Sequence, residues 1–311
     1  MPVKTSAPNG GAVAVPAPGL GQDAKLRSRA TGEQAHVTVI SAERGWLDWR
    51  LPLLWRYRDL VWLFVLRDFV SIYKQTILGP AWHVVRPLIA TFVFTLVFGR
   101  MAGLSTDGAP RFLFYLSGYI LWTYFATCFD NISRTFIVNA NILSKVYFHR
   151  LVIPVSLLIS NLISLGIQLV LLTIVIAWYL ATGSSVQPTW WLLALPFVVL
   201  IAGGYALAGG IIVCAITTRY RDLTYFVAFA TQFFMYLTPV IYPVSSLSPR
   251  YQQLIMMNPL TPLMEALRLG VMGFGTVTVW QVLMSGAGML VFLALGLTVF
   301  SRAERTFADT I

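Results

Sequence analysis

LVIPVSLLISNLISLGIQLVLLTIVIAWYLATGSSVQPTWWLLALPFVVLIAGGYALAGGIIVCAITT, residues 151–218, contains no Asp, Glu, Lys or Arg. A helix needs about 20 apolar residues to cross the hydrocarbon of a bilayer. These 68 residues are therefore too many for one crossing and enough for two with a turn. Gly183-Ser184-Ser185-Val186-Gln187-Pro188 supplies the turn, because it gathers loop formers between two apolar runs. The stretch is read as two transmembrane helices, at about 154–181 and 190–216.

Working outward, four more apolar runs appear. They lie at about 80–99 (interrupted by Arg86), 112–130, 223–242 and 277–300. Between Pro243 and Gly275 the chain is too apolar for a free loop and too broken by Pro249, Pro259 and Pro262 for a normal span. Short helices at membrane depth, packed against protein, are expected there. The fold class is all-α: a polytopic membrane protein with six transmembrane helices, an N-terminal amphipathic interface helix, and short re-entrant or external helices before the last span. The expected divisions are a disordered cytoplasmic tail at 1–45, an amphipathic region at 46–78, the six-span domain at 79–301, and a short cytoplasmic tail at 302–311.

Composition agrees. Of 311 residues, 57% are hydrophobic and 11% charged, with mean hydropathy +0.73. A soluble domain carries about 25% charged residues. So little polar surface argues against a soluble enzyme, a nucleic-acid binder or a disordered scaffold. The net charge of +10 reads first as topology. Six spans place both termini on one side. The loops on that side hold Arg134, Lys145, Arg150, Arg219, Arg221, Arg302 and Arg305, against Arg100, Arg111, Arg250 and Arg268 on the other. With the basic N-terminal region added, both termini are expected in the cytoplasm. Cys128 and Cys214 sit in apolar runs and read as small buried hydrophobes.

Residues 1–21 are rich in Pro, Gly and Ala, and have no apolar core of signal-peptide form. Residues 46–75 mix Trp46, Trp49, Trp55, Tyr57 and Trp62 with Arg50, Arg56, Arg58, Asp59, Arg67, Asp68 and Lys74. Either a helix in the headgroup plane or a simple aromatic, basic anchor fits that mixture. Gly79-Pro80 breaks the helix, since proline lacks a donor and restricts the residue before it.

Several chemistries lack their residues. None of Lys4, Lys25, Lys74 and Lys145 follows a glycine, so no phosphate-cradling Gly-Lys loop exists. No acidic residues are adjacent and no DxD occurs; His36, His83 and His149 are scattered. No metal site and no catalytic group are expected.

Four polar clusters are candidates. Asn139, Asn141, Ser144, Lys145, Phe148, His149 and Arg150 lie in the connector 130–150. A short helix there would close its last turn with cations and could dock in a partner's groove, or it is an ordinary surface connector. Lys74, Gln75, His83 and Arg86 flank the break into the first span. Arg86 either snorkels or meets an anionic headgroup or pyrophosphate. Glu265 and Arg268, spaced i,i+3, either satisfy each other or form a gate on the far side. Tyr115, Tyr119 and Trp122 crowd one span and Phe229, Phe233 and Tyr236 another, as core packing or as rings lining a passage.

YKQTILGPAWHVVRPLIATFVFTLVFG, FLFYLSGYILWTYFA, NANILSKVYFHRLVIPV, TTRYRDL and NPLTPLMEALR resemble, in that order, the polysaccharide-export branch of the type-2 ABC-transporter permeases. These are the membrane subunits for O-antigen, capsule and teichoic acid. The resemblance covers about 50–300. It implies a homodimer in membrane lipids, two separate ATPase subunits that bind the ATP and Mg, and a lipid-linked polysaccharide as substrate. Residues 46–78 would be the interface helix. The cluster from Asn139 to Arg150 would be the ATPase-coupling helix, and Arg219, Arg221 and Asp222 the second cytoplasmic contact. Residues 243–275, with Glu265 and Arg268, would be the external gate, and the six aromatics of the two crowded spans would line a channel between protomers. Export of a small lipid or drug, and an integral-membrane glycan transferase using Asp107 and Glu265, are the other readings.

Overall fold

The structure is a computed structural model. It describes residues 51–308 apart from 75, 76, 144, 147, 218, 219 and 221. The tail read at 1–45, and the candidates Gln75, Ser144, Arg219 and Arg221, lie outside the described residues.

All regular elements among the described residues are helices. Five are long and apolar enough to cross a membrane: Gly79–Met101, Arg111–Ser133, Val152–Ala181, Trp190–Thr217 and Val279–Arg302. Their bounds fall within a few residues of those read from hydropathy. We label the main helices α1 (Leu51–Arg56), α2 (Arg58–Tyr73), α3 (Trp82–Phe94), α4 (Arg111–Ser133), α5 (Thr135–Val138), α6 (Ala140–Leu143), α7 (Val152–Ala181), α8 (Leu195–Thr217), α9 (Leu223–Leu237), α10 (Pro249–Met256), α11 (Thr261–Met272) and α12 (Val279–Ala308). A 3-10 turn at Gly79–Ala81 precedes α3, and a wider π-helical turn at Thr95–Met101 ends that span.

The sixth expected crossing differs. At 15 residues, α9 is about 22 Å long at 1.5 Å per residue, short of the roughly 30 Å hydrocarbon. It still joins the two ends of the bundle. Thr217, beside its start, donates to Ser133 O at 3.0 Å, while Val240, beyond its end, accepts from Arg268 near the start of α4. The chain then runs back into the bundle through α10 and returns through α11. Ser285, two turns inside α12, donates to Pro259 O at the bottom of this hairpin, and Gln187 and Thr189 bind Met272 O and Gly270 O at its top. The segment is a re-entrant helical hairpin, as its prolines suggested.

At the centre stand α4 and α8. Of α4, Leu113, Tyr115, Leu116, Ile120, Cys128 and Ile132 are buried. The sequence AGG at 202–204 and AGG at 208–210 makes α8 thin on both sides. A Cβ on Gly210 would lie 2.7 Å from Ile132 of α4, and one on Gly204 would lie 2.5 Å from Met289 of α12. Without a hydrophobic drive between helices in lipid, small residues allow the close backbone approach that van der Waals packing needs.

The helix α2, expected to be amphipathic, is not so in the simple sense. On one side of α2, Val61, Phe64 and Val65 are buried against Val152 and Ile153 of α7. The other side, with Trp62, Leu63, Leu66 and Val70, is exposed and apolar. Two apolar faces suit a helix wedged between protein and lipid. The helix ends at Tyr73, and Lys74 is already extended, so the break starts before Gly79-Pro80.

Candidate functional site

We call the end of the bundle bearing residues 134–150 the near end, and that bearing 244–257 the far end. Between α3, α4 and α9 runs a groove of about 500 Å³. Tyr119, Trp122 and Tyr236 line it together with Phe94, Thr123, Thr127, Thr231 and Gln232. Phe94 meets Tyr119 edge-on at 5.9 Å. The charged lining residue is Asp130, and Arg134 occupies it at 2.9 Å. The walls are thus rings and neutral hydrogen-bonding groups. Three of the candidate aromatics stand elsewhere. Tyr115 is fully buried, edge-on to Phe94 and Phe114. Phe229 and Phe233 project from the open face of α9, at 68% and 56% exposure, beside Tyr225 and Phe226.

A second, smaller pocket of about 190 Å³ adjoins the groove on the near side and shares Tyr119, Thr123 and Thr127 with it. His83 and Arg86 line it from α3. The His83 ring nitrogen Nε2 lies 3.4 Å from Ser164 Oγ, and the Arg86 guanidinium stands 5.5 Å from the Trp82 ring. Lys74 is exposed at the end of α2 and does not reach the pocket. Sequence reasoning missed the opposite wall: Asn161, Ser164 and Gln168 of α7. Their i, i+3, i+7 spacing places them on one helix face. The stripe carries no charge, so it lacks the signal that marks a polar site inside an apolar run.

The connector 134–150 corrects one expectation. The short helix expected to reach Arg150 ends its last turn at Leu143. The polar groups turn inward and compete with helix continuation. Buried Asn139 donates to Thr135 O at 3.1 Å. His149 Nδ1 accepts the Leu151 N–H at 3.3 Å, at the start of α7. Phe148 packs on Phe64 of α2 at 5.8 Å, and Arg150 stacks over Phe136 at 6.0 Å. Asn141, Lys145 and Val146 are left exposed. Asp222, also exposed, directly precedes α9.

At the far end Glu265 and Arg268 form a buried pair, each 2% exposed. Arg268 Nη1 donates to Glu265 Oε1 at 3.3 Å and Nη2 to Val240 O at 2.9 Å, and the guanidinium lies 3.7 Å from the Phe114 ring centroid. Thr276 N donates to Glu265 Oε2 at 3.2 Å. Glu265 and the carbonyls of Val240 and Tyr242 hold the buried guanidinium in place. Arg268 is therefore not a loop charge, and the far-end loop cations reduce to Arg100, Arg111 and Arg250. Glu265 is occupied as a counter-ion, and Asp107 accepts from Ser245 Oγ.

Residues 59–272 match the ABC-2 type transporter family. The chain is 28% identical over 68% of its length to an O-antigen export system permease protein RfbA of Myxococcus xanthus, covering 80% of that protein. It is 24% identical over 81% of its length to a protein of the same name from Klebsiella pneumoniae, covering 95% of it. It is 22% identical over 80% of its length to the capsule polysaccharide export inner-membrane protein CtrC of Neisseria meningitidis serogroup B, covering 92% of it. The family match spans more than half of the chain, and with the helical membrane bundle just described it places this protein in the ABC-2 type transporter family.

Proposed function

We propose that this chain is the permease subunit of an ABC exporter that carries a lipid-linked polysaccharide, such as O-antigen or capsule, across the cytoplasmic membrane. It acts as a homodimer, with ATP and Mg bound by two separate ATPase subunits docked on the near end. The groove between α3, α4 and α9 carries this reading. Its rings offer flat surfaces to the apolar faces of sugars, and its hydroxyls and amides exchange hydrogen bonds with theirs. No free charge fixes the chain in one place, so a polymer can slide. The open aromatic face of α9, from Tyr225 to Tyr236, borders the groove and supports a second protomer closing it. The relatives' names point to the same cargo class.

The test is co-reconstitution with the ATPase subunits in liposomes loaded with a lipid-linked glycan. Glycan should reach the opposite face only with ATP, and the chain without its ATPase should hydrolyse no nucleotide. A second reading, export of a small apolar molecule, is favoured by an apolar cavity of about 400 Å³ between α4, α8, α9 and α12, lined by Phe125, Phe129, Phe234 and Phe292. ATPase stimulation by small amphiphiles and not by glycan would select it.

A further inference from the structure

We propose that the pocket between α3, α4 and α7 binds the phosphate or pyrophosphate headgroup of the lipid-linked substrate, beside the groove that takes its glycan. This rests on the function proposed above and adds a site to it.

The pocket is built for an anion by its donors. No acidic residue lines it. Arg86 stands about two turns into its span, some 10 Å along the helix from Gly79, where a charge is expensive. No carboxylate among the described residues pairs with it. Its stacking on Trp82 at 5.5 Å leaves the N–H fork available to a phosphate oxygen, which a planar guanidinium recognises well.

Gln168 is the second, independent observation. It is 6% exposed, lines the pocket, and makes no hydrogen bond to a described residue. Its side chain is enclosed, while its amide atoms are not among those sealed from solvent, so they open on the same small volume as Arg86. Ser164 and Asn161 stand one and two turns nearer the near end on the same face. Asn161 donates to Leu157 O at 2.8 Å, which fixes its side chain at the pocket wall.

Size and placement select the ligand. About 190 Å³ holds a headgroup and not a glycan chain. Trp82 at the rim is 39% exposed, so an attached hydrocarbon tail leaves past it. Tyr119, Thr123 and Thr127 belong to pocket and groove alike, so a sugar attached to the bound phosphate enters the groove directly.

A photoactivatable polyprenyl pyrophosphate provides the probe, applied to the full chain with its ATPase subunits in phosphatidylcholine nanodiscs. Crosslinks are expected in peptides around 82–87 and 161–168. Geranylgeranyl pyrophosphate should compete; geranylgeraniol and an equal concentration of phosphatidylglycerol should not. Arg86→Gln and Gln168→Leu should each weaken geranylgeranyl pyrophosphate binding at least tenfold. Crosslinks confined to other helices, variants binding as the unmodified chain does, or equal competition by phosphatidylglycerol would overturn the assignment. The crosslink map uses the unmodified chain, so it decides even if a variant fails to fold. ATP-driven glycan export without labelling would sink the pocket alone, and labelling without export would sink the proposed function alone.

Discussion

Arg268 ties four parts of the far end to one side chain: Phe114 of α4, the carbonyls of Val240 and Tyr242, and Glu265 of its own helix. Desolvating two charges is expensive, and their attraction is worthwhile only with further hydrogen bonds in place. Removal of one partner strands the other. Arg268→Ala is expected to destabilise by about 3–5 kcal/mol, seen as a lower thermal midpoint in detergent. Glu265→Gln should cost less, because the amide oxygen still accepts from Arg268, although the amide NH2 then faces the Thr276 N–H. Equal midpoints for Arg268→Ala and the unmodified chain would refute the lock. The i,i+3 spacing of this pair was legible, but the same spacing suits an exposed helix face. Burial arises from Val240, Tyr242 and Phe114, which are distant in sequence. Gln168 was missed: it is one of three amides, with Asn161 and Gln187, among 68 uncharged residues, and only the fold brings the face it shares with Ser164 and Asn161 opposite Arg86.

Among the elements, the long helices were readable because lipid imposes a length and a composition that a single chain displays directly. The connector was not. Asn139, His149 and Arg150 satisfy a short surface helix as readily as inward contacts, and tertiary partners such as Phe136 and Phe64 decide between them. The packing of α8 belongs to this scale too. A Cβ on Gly210 would come within 2.7 Å of Ile132, a branched side chain close to its own backbone, and 3.3 Å of Phe129 O. Gly210→Leu should therefore separate α4 from α8, with an overpacking cost of about 1–3 kcal/mol, and lower both thermal midpoint and yield. Gly166, on α7, has open space where a Cβ would stand, with nothing within 4 Å; Gly166→Ala should leave both unchanged. A tolerant Gly210 would show that the α4–α8 seam is looser than its glycines indicate.

For the molecule as a whole, orientation follows from the parity of crossings. The near end gathers α2, the 134–150 connector and the start of α9; the far end gathers the 102–110 loop and the re-entrant hairpin. Although α9 is short, its two ends are tied to Ser133 through Thr217 and to Arg268 through Val240, which requires it to pass from one end to the other. With α9 counted, the crossings among the described residues are even in number, so α2 and the last turns of α12 stand at one end. By the positive-inside rule, the near-end cations Arg134, Lys145 and Arg150 lead to the expectation that this side faces the cytoplasm. Cys128 and Cys214 are buried, so the chain supplies a quiet background for thiol labelling. Asn141→Cys on the connector and Tyr251→Cys on α10, both at exposed positions, should behave oppositely. A membrane-impermeant maleimide added to intact cells should label the Tyr251 variant and spare the Asn141 variant until the membrane is opened. Labelling of the Asn141 variant from outside would invert the bundle, and it would remove the ATPase docking face from the compartment that holds ATP.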